Sequence, residues 1–330
     1  MLVLAKAMLA MMIGFIISVI FGLILVPLLK KINVKQRENI FLRGTHSAKD
    51  GTPTMGGLIF IVPTLITILC LLFMNKITFS ENLFIVLFVF VAYALIGFVD
   101  DFLIIKRKNN VGLTELQKLF AQLVVALIFF YIFMRSGNDP VINIHTLGIS
   151  LDLKWFYGIF LLFILVASSN AVNITDGLDG LAGGLSVIAF LAFGMITWNA
   201  TWVAGYQDIA IFCFVLIGTL LGFLIFNTHP ARVFMGDTGS LCLGATLASI
   251  AILTNHELTL VIVAGVFVIE TLTCIIQMLG IMCFHKKIFL MAPLHHHFEK
   301  KGYKEPDIVK GFWVAGLILS MAAIAFGVWI

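Results

Sequence analysis

Asn170-Ala171-Val172-Asn173-Ile174-Thr175-Asp176-Gly177-Leu178-Asp179-Gly180-Leu181-Ala182 decides how this chain folds. The stretch joins two apolar runs, 156–172 and 179–198, each near the roughly 20 residues that a helix needs to cross about 30 Å of hydrocarbon. An ionised group at the bilayer centre costs on the order of 3 kcal/mol, so acids beside such runs mark a functional site by default. Polar residues recur here at every third position, and helical spacing would align Asn170, Asn173, Asp176 and Asp179. One Asp or Asn at a helix start is an ordinary cap. Four together, flanked by glycines that let a ligand approach the backbone, exceed what capping requires.

The same pattern extends outward in both directions. The 330 residues are 61% hydrophobic and 12% charged, with mean hydropathy +1.10, more apolar than a soluble core requires. Ten apolar stretches lie at about 8–29, 56–74, 82–99, 117–134, 156–172, 179–198, 208–226, 238–254, 258–283 and 310–329. The expectation is an all-α polytopic membrane protein of about ten transmembrane helices, with 1–330 as a single domain. Between 138 and 153, two alternating runs around His145-Thr146-Leu147-Gly148 predict a small outer β-hairpin.

Ten crossings put both termini on one side, and the basic residues choose which. With the first loop inside, 17 of the 21 Lys and Arg fall on the inner face, leaving Lys6, Lys76, Arg135 and Lys154 outside. Both termini are therefore expected outside, and the net charge of +4 reports topology, not nucleic-acid binding. The first run is long enough to span and lacks a small-residue cleavage signal, which reads as a retained helix. Cys70, Cys213, Cys242, Cys274 and Cys283 all fall in apolar spans without metal-like spacing, as buried packing residues would.

Threaded this way, the acids converge on the inner face. Asp100 and Asp101 close the third span, where two acids oppose the negative end of the helix dipole unless a cation such as Mg²⁺ is near. Asn227 begins a loop that leads through Phe234 to Gly236-Asp237-Thr238-Gly239-Ser240, at the start of the eighth span. Unsatisfied N–H groups at such a start favour phosphate, and Asp237 is well placed for a metal that the phosphate carries. His295-His296-His297 suits diphosphate binding or zinc, although consecutive histidines point in different directions. Lys49, Thr54 and Lys118 add ammonium and hydroxyl groups to this face. Glu270 and Gln277, seven residues apart, share one face of the ninth span. Several acids with phosphate-binding backbone, Lys and His in a lipid-embedded protein fit phosphoryl transfer.

Gly51 to Gly57 (GTPTMGG), Asp100-Asp101, Asn173 to Ala182 (NITDGLDGLA), Phe234 to Ser240 (FMGDTGS) and Met291 to Glu299 (MAPLHHHFE) give the chain a specific resemblance. In order and spacing these motifs resemble the phospho-N-acetylmuramoyl-pentapeptide transferase family, within the polyprenyl-phosphate N-acetylhexosamine-1-phosphate transferase superfamily. The resemblance implies Mg²⁺-dependent transfer of phospho-MurNAc-pentapeptide from UDP-MurNAc-pentapeptide to undecaprenyl phosphate. The products would be lipid I and UMP, formed in peptidoglycan synthesis on the cytoplasmic face of the bacterial plasma membrane. Gly311 departs from the family, whose members often carry Arg there, which bears only on an auxiliary contact near the last helix.

Carried onto this sequence, the resemblance makes Asp100, Asp101 and Asp237 catalytic, with Asp237 holding Mg²⁺ and Asp100 acting on the lipid phosphate. It makes Lys49, Thr54, Asp176, Asp179, Phe234 and Gln277 a nucleotide pocket, with Phe234 facing the uracil. Lys118, Asn170, Asn173, Asn227, Gly236, His295, His296 and His297 complete the substrate-binding set, and the resemblance also suggests a homodimer surrounded by membrane lipid. Two other readings stand beside this one. A transferase for UDP-N-acetylglucosamine shares the carboxylate chemistry, and an ion-coupled transporter would use intramembrane acids near the bilayer midplane instead of at one rim.

Overall fold

The computed structural model describes residues 2–31, 51–107, 112–144, 148–199 and 206–328. Within them, twelve helices and one hairpin follow in chain order: α1 (Leu2–Lys31), α2 (Leu58–Phe73), α3 (Glu81–Arg107), α4 (Glu115–Arg135), β1 (Val141–Ile144), β2 (Ile149–Asp152), α5 (Trp155–Thr175) and α6 (Leu181–Asn199). They continue as α7 (Tyr206–Asn227), α8 (Gly236–Leu253), α9 (Glu257–Val263), α10 (Gly265–Phe284), α11 (Leu294–Lys300) and α12 (Glu305–Val328). Among the described residues nine helices are long and apolar enough to cross a membrane, and α2, with 16 residues, is a shorter apolar helix. The protein is an all-α, multi-pass membrane protein. The expected hairpin is present, with Val141 paired to Asp152 and Ile144 to Ile149.

α7 and α8 form the centre and are buried along nearly their whole length. α1, α4, α10 and α12 turn most of their apolar side chains outward, among them Leu9, Ile24, Phe120, Met282 and Met321. Lipid is as apolar as leucine, so helices associate here through close backbone contact and interhelical hydrogen bonds. A Cβ on Gly218 of α7 would lie 2.0 Å from the Met11 carbonyl of α1. Beside that contact the Ser18 hydroxyl lies 2.8 Å from the carbonyl oxygens of both Ile59 and Thr219, fastening α1, α2 and α7 together. Gly244 of α8 meets α5 in the same way, its added Cβ falling 2.2 Å from the Ser168 carbonyl.

Three sequence expectations require correction. The stretch 258–283 is not one helix: it breaks at Ala264 into α9 and α10. The third span does not close at Asp100, because α3 runs on to Arg107 and ends on Lys106 and Arg107. Those cations meet the negative end of its dipole, so Asp100 and Asp101 sit inside a continuing helix. All five cysteines are free, as expected, but Cys70 and Cys283 are exposed on the outer surface of the bundle while Cys213 and Cys242 are buried.

Candidate active site

One contact sets the geometry of the carboxylate end. Gly97 of α3 lies against the first turn of α8 so closely that a Cβ would fall 2.1 Å from the Asp237 carbonyl oxygen. Gly57 does the same from the start of α2, with its added Cβ 2.5 Å from the Gly239 nitrogen. The loop before α2 is stitched to the loop before α8 by Gly56 N–H donating to Phe234 O at 2.8 Å and Phe234 N–H donating to Pro53 O at 2.8 Å. Gly236 adopts φ +74°, a left-handed conformation that favours glycine, and a Cβ there would strike the Asp101 carboxylate and the Thr54 hydroxyl.

These approaches bring the three acids together with different partners. Asp101 is buried and faces the start of α8, where Thr238 donates from its backbone N–H at 3.0 Å and its hydroxyl at 2.5 Å, and Asp237 N–H donates at 3.3 Å. Its carboxylate satisfies helix-start N–H groups that would otherwise favour an anionic ligand. Asp100, one residue away and about 100° around the helix, accepts Leu113 N–H at 2.7 Å and the Lys118 ammonium at 3.3 Å. Lys118 Nζ also donates to Asp237 Oδ2 at 2.6 Å. Asn173 Nδ2 donates to Asp237 Oδ1 at 2.8 Å and lies 2.9 Å from the Ser240 hydroxyl. Four helices, α3, α4, α5 and α8, therefore meet at Asp237.

The remaining sequence-predicted residues fall into distinct surroundings. Asn170, one turn deeper than Asn173, donates to Gln122 Oε1 at 2.9 Å. Asp176 is the C-cap of α5. Asp179 lies past the helix end, so the three-residue spacing does not align all four polar groups: α5 stops at Thr175. Instead the Asp179 carboxylate meets His229 Nδ1 at 3.1 Å and accepts Ala231 N–H at 3.0 Å, while its own N–H donates to Glu305 at 2.7 Å. Asp179, His229 and Glu305 place ligand atoms within 4.8 Å of one another, a grouping that could hold a metal ion among the described residues.

Asn227 ties the loops, its Oδ1 accepting Gly180 N–H at 3.1 Å and its Nδ2 donating to Val233 O at 3.0 Å. Gln277 fastens the connection from α10 to α11 through Ile288 N–H, Phe289 N–H and Phe289 O. Thr54 is buried, with its hydroxyl beside Gly236 and the Asp101 carboxylate. Phe234 is half-buried in the loop before α8. As expected for consecutive histidines, the three rings diverge: His295 meets Glu270, His296 Nδ1 meets Glu299 at 2.6 Å, and His297 Nδ1 accepts Leu290 N–H at 3.1 Å. Gly311 lines an apolar cavity of about 410 Å³ with Phe298, Tyr303 and Phe312, and a Cβ there would touch nothing. Lys49 lies outside the described residues.

Sequence reasoning did not single out Gly97, Ser240, His229 or Glu305 as parts of this end. Gly97 and Ser240 lie within stretches already marked by their acids, so proximity was the available signal. His229 lies in the loop already marked by Asn227 and Asp237, whereas Glu305 carried no signal, since its meeting with Asp179 depends on how α12 packs.

A bundle end where Lys118 joins Asp100 and Asp237, with Asp101 beside them, defines a class, and the glycosyl transferase family 4 model matches residues 83–255, which include Asp100, Asn173 and Asp237. Residues 49–61 match the phospho-N-acetylmuramoyl-pentapeptide-transferase signature 1. A phospho-N-acetylmuramoyl-pentapeptide-transferase of Geobacillus sp. (strain WCH70) is 45% identical over 322 residues, covering 98% of each chain. Those of Bacillus pumilus (strain SAFR-032) and Oceanobacillus iheyensis are 46% and 42% identical, each covering 96% of both chains. The chain belongs to the phospho-N-acetylmuramoyl-pentapeptide-transferase family.

Proposed function

We propose that this protein transfers phospho-MurNAc-pentapeptide from UDP-MurNAc-pentapeptide to undecaprenyl phosphate, releasing UMP and forming lipid I on the cytoplasmic face of the bacterial plasma membrane. The observation that carries the reading is Lys118 Nζ held between Asp100 and Asp237, 3.3 and 2.6 Å from their carboxylates, at one end of the helix bundle. Two carboxylates share that one ammonium, with Asp101 beside them at the start of α8, an arrangement that suits a site gathering a further cation with its phosphates.

Mg²⁺ fits this donor set. It takes oxygen ligands, commonly one or two carboxylates with substrate phosphates and water, and the position between Asp100 and Asp237 already accommodates a cationic group. Asp237 would hold the ion, with Asp100 beside it, whereas Asp101 is engaged by the start of α8. The ion would supply neutralisation of charge on the transferring phosphoryl group.

The residues of the chain do the rest. Asp100 orients the acceptor phosphate, whose oxygen is already negative and attacks the β-phosphorus of the nucleotide-sugar. A bond forms between that oxygen and the β-phosphorus, the bond from the β-phosphorus to the bridging oxygen breaks, and UMP leaves with the electron pair. Lys118 counters charge on the phosphates, and Asn173 fixes the orientation of Asp237. Lys49, Thr54, Asp176, Asp179, Phe234 and Gln277 bind or frame the nucleotide, with Phe234 under the uracil. The histidine tract, Asn170, Asn227 and Gly236 complete the surroundings of the diphosphate and sugar. The protein acts as a homodimer, which its mass in detergent by analytical ultracentrifugation tests.

The test is UMP release by the detergent-solubilised protein. Release is expected only with UDP-MurNAc-pentapeptide, undecaprenyl phosphate and Mg²⁺ together, and faster turnover of UDP-N-acetylglucosamine would move the reading to the other sugar. Direct displacement predicts no labelled protein when β-³²P-labelled UDP-sugar is supplied without lipid phosphate. A phosphorylated Asp recovered from that mixture would replace it with a covalent route.

A further inference from the structure

Another buried acid at this end has one defined partner. Glu270 of α10 and His295 at the start of α11 are both 0% exposed. The carboxylate grips His295 twice: the His295 backbone N–H lies 3.2 and 3.4 Å from the two oxygens, and Nδ1 lies 3.2 Å from Oε2. Bonded at both its backbone N–H and Nδ1, the ring is held in one orientation. Nε2 is then buried without a hydrogen-bond partner. It faces Gly177, where an added Cβ would lie 2.3 Å from it.

Here the unsatisfied nitrogen is aimed at the corner between α5 and α6, directly after Asp176. Gly177 is itself exposed, so a single residue without a side chain separates Nε2 from the surface that a substrate would cover. Glu270 makes no contact with that surface. Its two bonds to one residue instead determine where the imidazole points.

We infer that Glu270 is a positioning residue that holds the buried His295 ring against Gly177 and so sets the Asp176–Gly177 corner that receives the UDP-sugar. The inference rests on the transferase reading above and assigns a role to an acid which that reading leaves unused. A substitution at Glu270 acts only through His295, so its effect is absent where His295 can no longer respond.

The deciding experiment is calorimetric titration of UDP-MurNAc-pentapeptide into the full-length protein in detergent, with thermal unfolding measured alongside. The set is the parent, Glu270→Gln, His295→Asn and the double variant. An Asn amide can take the place of Nδ1 opposite Glu270 but puts no ring against Gly177. Each single change is expected to weaken binding about tenfold or more, as a shifted binding surface would. The double variant should bind no more weakly than His295→Asn alone, as for two residues acting as one unit. Unchanged binding by either single variant, or a double variant that loses the product of both effects, overturns the inference. Where Glu270→Gln does not fold, Glu270→Asp takes its place in the same cycle. A parent that binds UDP-N-acetylglucosamine instead changes the transferase reading and leaves the pair to be judged with that ligand, whereas a parent that binds neither sugar nucleotide overturns both.

Discussion

The two ends of the helix bundle bury acids in opposite ways. At the hairpin end each acid has its own neutral donor: Tyr157 OH donates to Glu257 at 2.7 Å, and the Thr78 hydroxyl donates to Asp208 at 2.7 Å. Each pair joins two elements that would otherwise part, α5 to α9 and the α2–α3 connection to α7. At the other end Asp100 and Asp237 share the one ammonium of Lys118. Each pair at the hairpin end fastens the fold by answering a buried acid oxygen with a local donor, while Glu257 Oε2 has no hydrogen-bond partner. Unmatched acids leave charge that another ion or a substrate must meet, which is the signature of a working site. Substitutions at the two ends should therefore fail differently, the first in stability and the second in turnover.

The largest expected effect breaks the convergence itself. Gly97→Ala places a methyl group against the Asp237 carbonyl and must push α3 from α8, so UMP release should fall at least about a hundredfold, the scale of an ångström-level misplacement. Parental turnover in the Gly97→Ala variant would show that the two helices need not touch. Lys118→Met leaves Asp100 and Asp237 without their shared cation, and loss of one such electrostatic group should lower kcat about a hundredfold. Its thermal unfolding should change little, in contrast to the hairpin end. Tyr157→Phe sharpens the contrast from that side: Glu257 loses the hydroxyl that answers its charge, which should destabilise the protein by about 1–3 kcal/mol while turnover of the folded protein persists. Thr78→Val should do the same on the smaller scale of about 1 kcal/mol. A kcat defect in either of these two variants would erase the distinction between the ends.

Much of this was legible in the sequence, and the reason is physical. Acids beside apolar runs can only sit at a membrane edge, so alternation of the spans alone predicted that Asp100, Asp101, Asn173 and Asp237 share one end. Period-two alternation likewise gave the hairpin. The errors arose where local pattern yields to packing. The end of an apolar run does not mark the end of a helix, and α3 continues past Asp100 because Lys106 and Arg107 suit its C-terminus. In 258–283 Gly265 alone hints at the break at Ala264, and regular spacing could not reveal that Asp179 turns away towards His229 and Glu305. The closeness of Gly97 to Asp237 is a long-range contact, visible in sequence only as a glycine one turn before two acids.

The measurement that bears most directly on the central claim is the rate of UMP release by Asp237→Asn, with membrane insertion and thermal unfolding checked on the same preparation. The amide can keep the contact with Asn173 but is a poor ligand for Mg²⁺ and a poor partner for Lys118. A folded, inserted protein whose turnover lies at background is the predicted result. A rate within about tenfold of the parent would contradict the account, since the four helices that meet at this residue would then have met for another purpose.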